Sequence, residues 1–260
     1  MSDIFISAPL TLKSDTNPHA VKLKVFWKTK KRWTPTDVAA YHKAVPAIAE
    51  KLARERYWDG DGDIKSSTFT CEDFAIRILC EYASAAGLPV RLATGVRAYR
   101  NMEVYNSAEH GEYSSTPMGF AHMAMLTYGA PDMQRIGINT VTVSSPELLL
   151  PGDVLAQTND NDEKRAHHIQ VVHSVAGGRI GIYQGNSGVG NVASKLFRLL
   201  GMNPANPIDS SYTGKTPEVG FYKKAGASSW NYENLTTGKV ISDFLKNFQL
   251  FRWNFDGFNK

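Results

Sequence analysis

The run Thr70-Cys71-Glu72-Asp73-Phe74-Ala75-Ile76-Arg77-Ile78-Leu79-Cys80-Glu81-Tyr82, continuing through Ala85-Ala86 to Gly87-Leu88-Pro89, constrains the fold more than any other stretch. It reads as one helix with a cysteine in its first turn. Thr70 stands as N-cap, its hydroxyl placed to accept from the amide three residues on, and Asp73 at that third position completes a T-x-x-D form of the capping box. Gly87 and Pro89 end the helix. Phe74, Ala75, Ile78, Leu79 and Tyr82 fall on a single face, so the helix packs against a core and its start is held in place. The free amides and macrodipole of a helix N-terminus favour an anion, which lowers a thiol's pKa and makes Cys71 a candidate nucleophile. The competing reading is a small core hydrophobe. Cys80 lies about 13 Å further along the same axis on a nearly opposite face, too far to bridge to Cys71, and reads as a core residue.

A chain of 260 residues, 42% hydrophobic, can bury a sizeable core. One catalytic domain over 1–260 is expected: an N-terminal strand and helix elaboration at 1–58, core motifs at 65–95 and 145–190, and a C-terminal extension at 200–260. The formal charge of +4 includes a local cluster at Lys28, Lys30, Lys31 and Arg32, which suits a solvated face or an anionic polymer. With no recognition motif beside that cluster, no nucleic-acid partner is expected. No run approaches the roughly 20 apolar residues of a membrane span. The start Met1-Ser2-Asp3-Ile4-Phe5 lacks a charged, apolar leader, so synthesis as a soluble cytoplasmic chain is expected.

Along the chain, Ile4 to Leu12 and Val21 to Trp27 read as strands, and Thr34-Pro35-Thr36-Asp37 starts a helix that runs to about Arg56 through Pro46. Asp59-Gly60-Asp61-Gly62-Asp63 begins like a calcium loop, but Ile64 replaces the required glycine and Thr70 the closing glutamate, so an acidic turn is expected and no metal. Pro89 to Thr94 reads as a strand, and residues 97 to 120 as an irregular insertion of surface loop. Gly119 to Tyr128 is apolar, with His122 as a core or strand histidine. Pro151-Gly152 turns the chain into a short apolar strand, with Asp153 capping the turn. His167-His168-Ile169-Gln170-Val171-Val172-His173, the Gly177-Gly178 turn and Arg179 to Asn186 form a hairpin. Alternation puts Ile180, Ile182, Gln184 and Asn186 on one face of its second strand; the sidedness of the first is ambiguous. Beyond Gly201 a strand is expected at Val219 to Lys223, a helix at about Lys239 to Asn247, and a closing strand at Phe248 to Phe255.

A cysteine nucleophile needs a base, and the base a partner that fixes its tautomer. Cys71, His168 and then Gln184 or Asn186 supply them in that order. His167 competes with His168, since adjacent strand residues point to opposite faces; His173 and His122 read as structural. The segments Cys71-Glu72-Asp73-Phe74, Leu150-Pro151-Gly152-Asp153-Val154 and His168-Ile169-Gln170-Val171-Val172 resemble those of the NlpC/P60 and CHAP group of papain-like cysteine amidases, over residues 70 to 90 and 148 to 188. Thr70-Cys71-Glu72-Asp73-Phe74 departs from the group's usual Asp-Cys-Ser/Gly-x-Phe towards transglutaminase-like sequences, and the oxyanion-hole partner has no assignment. The resemblance implies an α+β, papain-like NlpC/P60-type fold, with the nucleophile helix on an antiparallel sheet and long loop insertions. It also implies hydrolysis of an amide in bacterial peptidoglycan, in the stem peptide or a cross-link, through a Cys-His-amide triad with no cofactor or metal. Without an export signal, such an enzyme resembles an antibacterial effector of type VI secretion, with a cognate immunity protein as partner, or a lysin released on lysis. The alternative is a transglutaminase-like enzyme or deamidase acting on protein glutamine.

Overall fold

A computed structural model of the chain describes residues 3–10, 19–54, 69–186, 200 and 214–260. The acidic run Asp59 to Asp63 lies outside them. In chain order the principal elements are β1 (Phe5–Leu10), β2 (His19–Val25), α1 (Pro35–Arg54), α2 (Cys71–Ala86), β3 (Arg91–Ala93), β4 (Ala98–Arg100), β5 (Met102–Val104), α3 (Ser107–His110) and α4 (Pro117–Met125). There follow β6 (Thr140–Thr142), β7 (Val154–Gln157), β8 (His168–Ala176), β9 (Arg179–Gln184), β10 (Glu218–Lys224), β11 (Trp230–Asn234), β12 (Val240–Ile241) and β13 (Phe248–Trp253), before a short helix Phe255–Phe258. The fold is α+β. An eight-stranded antiparallel sheet in the order β12-β11-β10-β9-β8-β7-β13-β6 is accompanied by a small sheet β1-β2-β5 and the pair β3-β4.

At β7 and the first half of β8 the large sheet is buried on both faces, which is why β8 shows no clean alternation in sequence. Ile169 and Val171 join the core shared with α1, α2 and α4, while Val172 joins Ile180, Ile182 and Tyr222 in a second core on the opposite face. A register shift between Val172 and Ser174 accommodates His173 as the extra residue of a bulge. The hairpin with its Gly177-Gly178 turn forms as expected; both glycines have positive φ.

The cysteine helix forms over Cys71–Ala86 and ends at Gly87 in the left-handed conformation, with φ of 64°. Its cap differs from expectation in one half. Asp73 accepts from the Thr70 amide at 3.0 Å, but the Thr70 hydroxyl is buried and makes no hydrogen bond among the described residues. The helix is also buried around most of its circumference rather than on one face, because α1, α4 and β8 all pack on it. Gly185, just past β9, lies so close to this helix start that an added Cβ would stand 2.2 Å from the Thr70 carbonyl oxygen. Only glycine lets the end of β9 approach so closely.

Other expectations are corrected. Residues 97 to 120 are no irregular loop: β4 pairs with β3, β5 with β2, and α3 and the start of α4 follow. Gly119 to Tyr128 is largely helix: it falls mostly within α4, which has Thr116 as N-cap, Pro117 at its first position and seven of its own nine residues buried. A helix apolar all round carries no period to separate it from a buried strand. The helix expected at Lys239 to Asn247 is instead β12 and a 3-10 turn at Phe244–Asn247. β13 stops at Trp253 and lies between β7 and β6, inside the sheet. The strand β11 was not marked by its sequence, whose Asn and Glu residues disfavour strands.

Candidate active site

Cys71 opens α2, and its Sγ donates a hydrogen bond to Glu72 Oε2 at 2.8 Å. Burial pushes the thiol's pKa well above its usual value, and the Glu72 carboxylate, by its charge and its hydrogen bond, pushes it further. The backbone amide of Ile169, against the sulfur, acts in the opposite sense and is outweighed. The expectation of a thiol acidified by the helix start is therefore reversed. Burial, with the adjacent Glu72 carboxylate adding to it, outweighs the half-charge of a helix terminus. Cys80 is a core residue, its thiol raised by burial to about 12.

Ile169 is the residue after His168, so the thiol lies against the start of β8. The structure does not bring the Cys71 and His168 side chains together: no hydrogen bond joins them among the described residues, and Ile169 faces α2 while His168 lies with Gln170 and Gln184 on the opposite face of the sheet. His168 instead bonds through Nε2 to Gln184 Oε1 at 3.0 Å, across the β8-β9 hairpin. Burial lowers the imidazole pKa, only partly offset by that bond, so the ring is neutral at pH 7.

The tautomer of His168 follows from a chain of bonds that begins at the backbone. Asn234 Oδ1 accepts from the amides of Thr236 and Thr237, which turns its Nδ2 to Glu218 Oε2 at 2.7 Å. A carboxylate only accepts, so Gln184 must present Nε2 to the same oxygen, at 2.8 Å. That leaves Gln184 Oε1 to receive two donors, His168 Nε2–H and Gln170 Nε2 at 2.8 Å, while Tyr222 donates to Gln170 Oε1 at 2.8 Å. The proton thus sits on His168 Nε2, and Nδ1 carries the free lone pair. Burial alone would raise Glu218, but hydrogen bonds from Gln184, Asn234 and Asn186 hold its carboxyl below the usual range. Of the two candidate amides, Gln184 reaches the imidazole and Asn186 reaches Glu218.

The other histidines stand apart. His167 is half exposed and pairs with Asp160 at 2.9 Å. His173 packs against Tyr183, and His122, in α4, is pushed down to about 3 by burial with Arg77 nearby. Asp153 caps the Pro151-Gly152 turn as expected, accepting from the Leu150 amide at 2.8 Å. Glu218, Asn234, Gln170 and Tyr222 were missed in sequence; the one available signal was Gln170, a polar side chain inside an apolar strand. No group of His, Cys, Asp and Glu able to hold a metal ion occurs among the described residues.

Because the Cys71 thiol is held protonated by burial and, added to it, by Glu72, its alkylation by iodoacetamide is expected to keep accelerating above pH 9 rather than level off. In Glu72→Gln the rise should shift to lower pH and the rate at pH 7 increase. Identical pH profiles for the two proteins would show that Glu72 does not control the thiol.

Comparison with known proteins gives no match among family models, curated proteins or solved structures. No helix among the described residues is long and apolar enough to cross a membrane.

Proposed function

We propose that the protein is a cysteine hydrolase of the papain-like, NlpC/P60 type that cleaves an amide in bacterial peptidoglycan, with Cys71 as nucleophile, His168 as base and Gln184 as its orienting partner. The observation that carries this reading is the His168–Gln184 bond, which leaves Nδ1 basic at the start of the strand whose next amide touches the Cys71 sulfur.

In the proposed reaction the Cys71 thiol gives up its hydrogen bond to Glu72 and passes its proton by way of water round the start of β8 to His168 Nδ1, on the other face of the sheet, and the thiolate attacks the amide carbonyl carbon. The C–N bond then breaks and the departing amine takes the proton back from the imidazolium. Water, losing a proton to Nδ1, attacks the thioester, and the thiol and free carboxylic acid are released. The first-turn amides of α2 lack intrahelical partners and are suited to stabilise the oxyanion. The wall substrate rests on the sequence resemblance around Cys71, Pro151-Gly152-Asp153 and His168, as do delivery as a secreted effector or lysin and a cognate immunity protein.

Incubating wild type and Cys71→Ala with peptidoglycan sacculi, with products read by mass spectrometry, tests the proposal. New amide-cleaved muropeptides from wild type alone are expected. Intact muropeptides together with ammonia release from a protein glutamine substrate would replace this reading with the deamidase one.

A further inference from the structure

The basic run Lys28, Lys30, Lys31 and Arg32 has no part in the reaction proposed above, and the fold builds it into a larger charged edge. Asn101, buried just after β4, donates through Nδ2 to the Trp27 carbonyl at 3.0 Å and to the Thr29 hydroxyl at 2.9 Å, and its Oδ1 accepts from the Val90 amide, just before β3, at 3.1 Å. One side chain thus pins the run to the open end of the β3-β4 ribbon. Asn259 exchanges two hydrogen bonds with the Trp33 backbone, and Lys260 follows it to the same edge, where its carbonyl accepts from Arg100 Nη1 at 2.7 Å.

On the ribbon Arg91 and Arg100 are direct cross-strand partners, and their strand neighbours Leu92 and Tyr99 are buried, so alternation stands both arginines side by side on the outer face. Like charges so placed repel. Burial and, after it, the Arg91 charge lower the Arg100 pKa. Glu103 offsets the pair only in part, because its carboxylate is hydrogen-bonded to Arg97 and His110 and meets Arg100 at the backbone amide. Lys31 pairs with Asp37. Lys28, Lys30, Arg32, Arg91, Arg100 and Lys260 make no ion pair among the described residues, and the buried Arg91 Nε has no hydrogen-bond acceptor among them either. Arg91 is half-buried and the others are exposed.

We propose that this edge is a docking surface for a flexible phosphodiester polymer without bases, Arg91 and Arg100 gripping one phosphate and Arg32 and the lysines its neighbours along the chain. Two guanidinium forks side by side match the oxygens of a phosphate, and an anion between them removes their repulsion. Cations drawn from three segments and set along an edge suit charge repeated along a polymer. Single-stranded nucleic acid fits less well, because its bases need aromatic faces to stack on. Both tryptophans that flank the basic run are buried, 8% and 4% exposed, with their indole N–H groups spent on the Leu88 and Pro89 carbonyls. The edge lies at the Gly87 end of α2, where the Lys30 and Lys31 amides bond the Gly87 carbonyl. Cys71 opens the same 16-residue helix, about 24 Å away. The polymer is therefore an anchor and no substrate, and the inference holds whether or not Cys71 cleaves an amide.

The test is fluorescence anisotropy of labelled poly(glycerol phosphate) titrated with the full chain at rising salt. Binding is expected, weakening steadily as salt rises. Arg91→Gln combined with Arg100→Gln should weaken it at least about tenfold, with no fall in the urea midpoint, since a repulsion leaves with the charges. Lys28→Gln combined with Arg32→Gln, on a loop anchored by other residues, should weaken it as well. Lys43→Gln combined with Lys223→Gln takes the same charge from exposed positions elsewhere and should change it by less than about twofold. No binding, or losses in the arginine and Lys28/Arg32 variants no larger than in the Lys43/Lys223 one, would overturn the docking surface. Tighter binding of single-stranded DNA, or of polyglutamate of equal charge, would overturn it in favour of a nucleic acid or an acidic polypeptide.

Discussion

His168→Ala is expected to lower amide hydrolysis by about 10³-fold or more, to nearly the level of Cys71→Ala, and the double variant should lose little beyond either single one. The reason is that thiol and imidazole act as one unit: without a base at Nδ1, a thiol held protonated by burial and Glu72 does not become a nucleophile. Replacements further along the network should grade downwards. Glu218→Ala removes the acceptor of Gln184 Nε2 and leaves the Gln170 donor as the remaining hold on the amide, so a fraction of Gln184 turns over, presents Nε2 to the imidazole and moves its proton to Nδ1. Activity should then fall by about 10- to 100-fold, an effect of tautomer like that of losing a triad's orienting residue but weaker because it acts through Gln184. Nitrogen-15 NMR of the His168 ring reads the tautomer directly, and the Nε2–H form is expected in wild type. Full activity in His168→Ala combined with inactivity in His167→Ala would transfer the base to His167.

The parts of this arrangement legible in the sequence are those encoded locally. Thr70, Asp73 and Gly87 mark the cysteine helix because capping and termination act within a few residues, and Gly177-Gly178 marks the β8-β9 hairpin for the same reason. The two amides at the end of β9 were visible by alternation, although only contact distances separate Gln184, on the imidazole, from Asn186, on Glu218. Glu218 and Asn234 were invisible because they approach from strands 34 and more residues away, and a carboxylate opening a strand looks like any solvated charge until its neighbours are known. The direction of the Cys71 shift failed for a related reason. Helix position is written in the sequence, but whether Glu72 turns to water or into the protein is decided by packing. The same lack of local signal hid α4, whose residues are buried on all sides.

The largest expected loss of stability lies away from the candidate active site, at Arg252. Asp153, after the Pro151-Gly152 turn, is fully buried, and burial raises its carboxyl against the opposing pull of Arg252. Arg252 Nε reaches Oδ1 at 2.8 Å and Nη2 reaches Oδ2 at 2.7 Å, a two-pronged pairing, while Nη2 also donates to the Leu148 carbonyl at 3.0 Å. The pair joins β13 to the chain just before β7. On the same turn His42 Nδ1 bonds the Pro151 carbonyl at 2.7 Å, and Gly152, with φ of 95°, sits against the Tyr41 ring, so α1 docks on this one point. Arg252→Met keeps the length of the side chain but leaves Asp153 buried without its cation. Breaking one partner from a buried pair costs about 3–5 kcal/mol, and the partial exposure of Arg252 places the expectation near the lower end, about 3 kcal/mol. Urea denaturation should show the midpoint falling with little change in slope. Asp153→Asn combined with Arg252→Met should recover part of the loss, because no charge is then left unpaired. β7 pairs directly with β8, Gln157 opposite His168, so the same variant should also loosen the strand that carries the proposed base. Hydrogen exchange at the Ile169 amide, the group beside the Cys71 sulfur, would report it, and unchanged protection there with a lowered denaturation midpoint would confine the role of the pair to the α1 face.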